Sequence, residues 1–280
     1  MEKGDWPVEQ LKIGVMATLA EEMDGEMQKI RGLGLDNCQM CSWDVTLWNE
    51  KIGGAMIEAA QRHEVAVTTF WAGYPGPESW DFVNGPKSIG LVPVEYRAMR
   101  VEALKKAASL AKWLGLPSIT THAGFIPENP NDPVFTETLE ALREVAGHCA
   151  ELGIGFWLET GQETPVTMLR TIERLGLPNV GVNFDSANLI LYGKANPVDA
   201  LDVIGKHVRG VHAKDGRYPT TGDSLGEEVP IGQGKVDFPV LIRRLKELGY
   251  CGPLTIEREI TGEQQMVDIK KAIEYLRPYC

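Results

Sequence analysis

Short apolar, β-branched runs alternate with longer segments of helical period eight times along the chain. This alternation constrains the fold more than any other feature. Strands are expected at 11–17, 36–42, 64–70, 117–122, 154–159, 180–185, 208–213 and 253–258. Helices are expected at about 21–32, 51–62, 94–114, 134–152, 164–175, 197–206, 238–248 and 263–277. In 134–152, Leu139, Leu142, Val145, Ala146 and Cys149 recur at steps of three and four, which marks one buried face. Leu-Gly-Leu-Pro occurs at 114–117 and again at 175–178. Each copy reads as a helix end, with glycine as the left-handed cap and proline blocking continuation. Thr164-Pro165 and Asn196-Pro197 read as helix starts, a capping oxygen followed by proline at the first helical position.

Strands that are apolar almost without interruption are buried on both faces, which implies a parallel sheet covered by helices. Eight units in 280 residues leave about 35 residues for each, enough for a strand, a helix and two loops. A single (β/α)8 TIM barrel spanning 1–280 is therefore expected, with no shift of composition to mark a domain boundary. A doubly wound open sheet would want a glycine-rich turn after the first strand, and Thr18-Leu19-Ala20-Glu21 is not one. The irregular stretches at 71–93, 123–133 and 215–237 all follow strand ends, where loops of a barrel form substrate walls.

Acidic residues outnumber basic ones by 39 to 28, a net charge of −11. Such a body repels polyphosphate, so neither nucleic acid nor an anionic membrane is an expected partner. No run approaches the ~18 apolar residues of a membrane span. Met1–Pro7 lacks the apolar stretch of a secretory signal. Five cysteines are odd in number and sparse for this length, which suits reduced thiols in the cytoplasm better than a disulfide framework. Cys38 and Cys41 form a lone C-x-x-C within a strand. Period two then sends the two thiols to opposite faces, so structural roles are expected rather than zinc binding.

Polar residues end four successive strands: Glu159 in F-W-L-E, Asp185 in V-N-F-D, His212 in G-V-H-A and Glu257 in L-T-I-E. Alone, each has an ordinary reading as a helix cap, an ion-pair partner or a satisfied core histidine. Together they are different. In a closed barrel these ends are neighbours, and three carboxylates with one imidazole would repel one another without a cation. An oxygen-rich set with one nitrogen suits Mn²⁺, Mg²⁺ or Co²⁺ better than a thiolate-seeking zinc site.

This strand-end pattern, the segment I-G-Q-G-K-V-D-F-P and the closing P-L-T-I-E-R-E resemble the xylose isomerase-like TIM barrels, the sugar phosphate isomerase/epimerase superfamily. That group includes ketose 3-epimerases, hydroxypyruvate isomerase, inosose dehydratase and, further off, endonuclease IV. The resemblance implies one divalent cation, most often Mn²⁺, on Glu159, Asp185, His212 and Glu257. It also implies that Glu159 and Glu257 form the acid/base pair, that the substrate is a small sugar or polyol, and that a homo-oligomer is an available state. Removing a proton beside a carbonyl leaves an enediolate, whose charge a divalent ion stabilises. A second carboxylate can return the proton to the same carbon, which epimerises it, or to the neighbouring carbon, which isomerises the sugar. A lyase that eliminates from the same intermediate, and a non-catalytic sugar-binding barrel, are the alternatives.

Further candidates surround this quartet. His122, at the end of I-T-T-H, is placed to hold a sugar hydroxyl or to be buried structurally. Lys214, Asp215 and Arg217 follow His212 and can grip hydroxyls or a charged group, or belong to a solvated loop. Trp43, Trp71 and Trp157 offer aromatic walls for a sugar face, or fill the core. Glu259 is a rival ligand to Glu257. Gly232 and Gly234 allow tight turns but lack the context of a phosphate cradle. One departure from the family is Asn188, where ketose epimerases carry a histidine three residues after the strand-six aspartate. It keeps a hydrogen-bonding role towards substrate but cannot ligate as imidazole does. With five histidines, a three-metal nuclease site is not expected. Lys214, Arg217 and Arg258 leave a phosphorylated substrate open.

Overall fold

The computed structural model describes residues 10–280; the segment Met1–Pro7, weighed above as a leader, lies outside the described residues. Eight parallel strands close into a barrel: β1 (Ile13–Thr18), β2 (Asn37–Ser42), β3 (Ala66–Ala72), β4 (Ser118–His122), β5 (Gly155–Glu159), β6 (Val180–Asp185), β7 (Val208–Ala213) and β10 (Leu254–Ile256). β10 seals the ring by pairing with both β1 and β7. A two-stranded antiparallel hairpin, β8 (Asp215–Arg217) with β9 (Glu227–Val229), stands above the end of β7. The barrel helices are α1 (Asp24–Gly32), α2 (Glu50–Arg62), α3 (Val94–Trp113), α4 (Pro133–Leu152), α5 (Pro165–Leu175), α7 (Pro197–Ile204), α8 (Phe238–Glu247) and α9 (Glu263–Leu276). A short α6 (Ser186–Leu191) follows β6 without a loop.

The helix boundaries follow from local chemistry. Thr164 accepts a hydrogen bond from the Thr167 amide at 3.3 Å, and Asn196 from the Val198 amide at 2.8 Å. Caps of this kind are worth about 1 kcal/mol each. Gly153 and Gly176 end α4 and α5 at φ of 69° and 64°, a left-handed turn that favours glycine. The face of α4 expected from the sequence is buried at Leu139, Leu142, Val145, Ala146 and Cys149. Three details differ from expectation. The first helix starts at Asp24 instead of 21, α6 follows β6 directly, and the stretch 215–237 contains the hairpin. Both additions depend on contacts outside their own sequence: Ser186 Oγ of α6 donates to the Lys214 carbonyl at 2.8 Å.

Strand parity separates two interiors. Val15, Met40, Phe70, Ile119, Phe156, Leu158, Val182 and Val211 face outward into the apolar sleeve beneath the helices. The alternate residues face the barrel axis and are largely polar. Midway along the axis, Gln39 Nε2 donates to Asn183 Oδ1 at 3.1 Å, and Ser118 Oγ donates to Thr69 Oγ1 at 2.7 Å. Gly210 makes room for the amide pair, because a Cβ there would lie 2.3 Å from Asn183 Oδ1. Cys38 packs in the sleeve, whereas Cys41 lines the cavity at the mouth, on the opposite face of β2. All five cysteines are free. No described helix is long and apolar enough to cross a membrane.

Candidate metal centre and active site

The carboxyl ends of β5, β6, β7 and β10 bring Glu159, Asp185, His212 and Glu257 together. One ligand atom from each lies within 4.8 Å of the others. His212 Nδ1 is the hub, 3.4 Å from Glu159 Oε1, 3.7 Å from Asp185 Oδ2 and 3.3 Å from Glu257 Oε2. Glu257 stands one residue beyond the end of β10, and its amide donates to the Ala213 carbonyl at 3.1 Å, which keeps the register.

Neighbours fix the orientation of each side chain. Gln39 Nε2 is used on Asn183, so its Oε1 faces His212 Nε2 at 2.9 Å. Imidazole Nε2 therefore carries a proton, and Nδ1 is turned towards the carboxylates. Asp185 divides its labour. Oδ1 caps α6 by accepting from the Asn188 amide at 2.7 Å, while Oδ2 is buried with no hydrogen-bond partner. His212 Nδ1 is buried and likewise without a partner. Glu159 Oε2 accepts from Trp71 Nε1 and, at 3.3 Å, from Asn183 Nδ2; Oε1 accepts from Asn188 Nδ2 at 3.3 Å. Buried polar atoms left unpartnered are costly, and two of them aimed at one point fit a shared cation. The donor set of three carboxylates and one imidazole fits a divalent ion of the Mn²⁺, Mg²⁺ or Co²⁺ type.

The charges interlock. Burial disfavours the imidazolium of His212, but the Glu159 and Glu257 carboxylates outweigh it and raise its pKa well above the usual value. Burial also opposes ionisation of Glu257, yet Lys214 and His212 hold it well below the carboxylate range. Glu159 is held low in the same way, burial being outweighed by His212. Asp185 goes the other way, pushed up to about 7 by burial against the pull of Lys214. A cation at this point would take the place of a proton on His212 Nδ1.

The other sequence candidates scatter. His122 Nε2 lies 3.4 Å from Glu159 Oε1 and lines the cavity, its pKa lowered by burial. Trp43 and Trp71 line the same cavity, with ring centroids 5.1 Å apart. Lys214 is buried, and its Nζ lies 2.9 Å from Glu259, 3.1 Å from Glu257 and 3.3 Å from Asn188 Oδ1. Glu259 is thereby tied to Lys214 and stands outside the quartet. Arg217 is not brought to the centre. It lies on the hairpin, exposed, paired with Glu227 at 3.1 Å. Trp157 is not brought there either. It faces the axis two residues before Glu159, and its side chain lines a depression with Pro117, Gly155, Asn179 and Arg209, away from the quartet. Asp215 accepts backbone N–H bonds from Gly216, Gly232, Gly234 and Val236 at 2.9–3.1 Å, so the amides of the glycine turn are filled by the protein's own carboxylate.

Two residues that orient the centre went unread in the sequence. Gln39 and Asn183 are interior-facing amides of β2 and β6. A long polar side chain at an axis-facing position was the signal, as it was for Glu159. From the β3–α3 loop, Glu78 and Trp80 also reach the cavity.

Residues 33–279 match the xylose isomerase-like TIM barrel family, and the chain belongs to it. A xylose isomerase domain protein from Planctomyces limnophilus superposes with a TM-score of 0.90 at 34% identity, covering 96% of this chain and 97% of its own. The L-ribulose-5-phosphate 3-epimerase UlaE of Salmonella paratyphi B is 36% identical over 65% of this chain and 64% of its own length. A xylose isomerase-like barrel from Mycobacterium smegmatis, solved in complex with magnesium, shares the fold at a TM-score of 0.71 and 17% identity, over 98% of both chains.

Proposed function

We propose that this protein is a divalent-metal-dependent sugar isomerase or epimerase, with the barrel acting as one functional unit in a reducing, cytoplasmic setting. The observation that carries the reading is the meeting of Glu159, Asp185, His212 and Glu257 around two unpartnered buried atoms, His212 Nδ1 and Asp185 Oδ2. When bound there, a divalent ion (Mn²⁺ is our choice) supplies Lewis-acid stabilisation of negative charge developing on a substrate oxygen.

The protein's own groups do the rest. Glu159 and Glu257 are the acid/base pair, each lining the cavity. One removes the proton beside the carbonyl, and the other returns a proton to that carbon or its neighbour. Trp71 and Asn183 donate to one oxygen of Glu159 and fix its aim. Lys214, 3.1 Å from Glu257 Oε2, steadies the second carboxylate. His122, Asn188 and the indoles of Trp43 and Trp71 hold and face the sugar. The burial of the quartet limits water, which protects an enediolate from side reactions. Relationship to a ketose-phosphate 3-epimerase supports the reaction class.

Incubation of the manganese-loaded protein with a panel of ketoses in deuterated water tests this. Deuterium entering recovered sugar, with no loss of water or aglycone, is the expected result. Deuterium entry with elimination points to a lyase. Sugar binding without exchange points to a non-catalytic barrel and contradicts the proposal.

A further inference from the structure

Beyond the cavity of about 130 Å³ above the quartet, a second chamber of about 320 Å³ opens. The two share Trp80, His122 and Glu259, so they adjoin. Their chemistry differs. The inner chamber is walled mainly by carboxylates and indoles; Leu191, Tyr192 and Leu225 line the outer one beside Asn188 and Glu259. Phe82 and Phe125 pack edge-on against Tyr192 at centroid distances of 6.1 and 5.7 Å, which makes that wall an aromatic cluster. Trp80, 40% exposed, stands between the chambers with its ring 5.2 Å from His122.

Among the described residues, neither chamber has a lysine or arginine in its lining. The cations that follow the strand ends are committed elsewhere. Lys214 is spent on Glu257 and Glu259, Arg217 on Glu227, and Arg258 on Glu228 and Asp268, each of the last two at 2.9 Å. The amides of Gly232 and Gly234 wrap Asp215. A phosphate at the mouth would face Glu78, Glu257 and Glu259, with Lys214 already paired to the last two. Desolvating a dianion among carboxylates is strongly unfavourable.

We propose that the substrate is an uncharged sugar bearing an apolar substituent, with the sugar over the quartet and the substituent in the outer chamber against Trp80, Leu191 and Leu225, and that sugar phosphates are excluded. This rests on the isomerase/epimerase reading and names its substrate class. It separates the chain from UlaE, whose named substrate is a phosphate ester.

Calorimetric titration of the manganese-loaded full chain with phenyl β-D-glucopyranoside, D-glucose and D-glucose 6-phosphate tests it. The phenyl glucoside should bind at least about tenfold more tightly than glucose, as burial of one aromatic ring implies. The phosphate should bind no more tightly than glucose. Leu225→Ser, a change at a half-buried loop position, should erase most of the phenyl preference, and Trp80→Ala should do the same. Equal affinities, tightest binding of the phosphate, or binding of none of the three overturns the proposal. Deuterium exchange into free ketoses without a phenyl preference would remove the second chamber and spare the chemistry. A phenyl preference without exchange into any sugar would do the reverse.

Discussion

The barrel axis carries two polar layers, one above the other, that obey opposite rules. In the middle layer the amides of Gln39 and Asn183 pair and give their remaining atoms to His212 and Glu159, and the hydroxyls of Ser118, Thr69 and Thr120 form a second set. In the layer above, His212 Nδ1, Asp185 Oδ2 and His122 Nδ1 are buried without partners. Both layers are equally inaccessible, so burial alone does not explain the difference. A polar interior that is complete in itself makes a scaffold. One that is incomplete at a single point is built for something brought in from outside. The layers are joined by two bonds only, Gln39 to His212 and Asn183 to Glu159, so the scaffold's order is passed upward at defined atoms.

The sharpest way to break this contrast is to alter the upper layer. Glu159→Gln and Glu257→Gln should each lower solvent-deuterium exchange by about 10²–10⁴-fold, the scale of a lost general acid or base. A variant with near-normal exchange would mean that the carboxylates are structural. The next effect crosses between layers. Gln39→Leu keeps the volume but removes the acceptor that fixes the His212 tautomer. Mn²⁺ affinity measured by titration should fall about 10–100-fold, and the melting temperature should fall by a few degrees because Asn183 Oδ1 and His212 Nε2 lose their partner. Unchanged affinity would mean that the layers are independent.

A smaller effect concerns Glu163, in the turn after β5. Burial pushes its carboxyl up to about 8, and neither oxygen has a partner. The native state therefore holds this proton more tightly than the unfolded chain does. Its contribution to stability is complete below about pH 4.5, the unfolded value, and is lost as pH rises from there through about 8. The melting temperature of the parent protein should fall by a few degrees more than that of Glu163→Gln between pH 5 and 8.5. Parallel pH profiles for the two proteins would contradict this. The smallest effect is at the other end of the axis. Trp157→Phe should leave Mn²⁺ affinity within about twofold of the parent value, because Trp157 lines the depression away from the quartet.

How much of this was legible in sequence depends on the range of the contact. Helix ends were legible, because Thr164, Asn196, Gly115 and Gly176 act on their immediate neighbours. The upper layer was legible because a polar residue at the end of an apolar strand has one place to go in a closed barrel. Height along the axis was not. Trp157 shares the inward face of β5 with Glu159, but the two-residue step puts it towards the other end. Arg217 was read from its nearness to His212, yet the unforeseen hairpin carries it away to Glu227. Gln39 was missed because its partner His212 is 173 positions distant. The commitment of Lys214 to two glutamates also depends on tertiary contacts that no local pattern encodes.

The claim beneath all of this is tested most directly by anomalous diffraction from crystals grown with Mn²⁺. The account predicts one manganese peak per chain, with Glu159, Asp185, His212 Nδ1 and Glu257 each within about 2.4 Å of it. A peak elsewhere, or a peak that any of these four side chains does not reach, would contradict it.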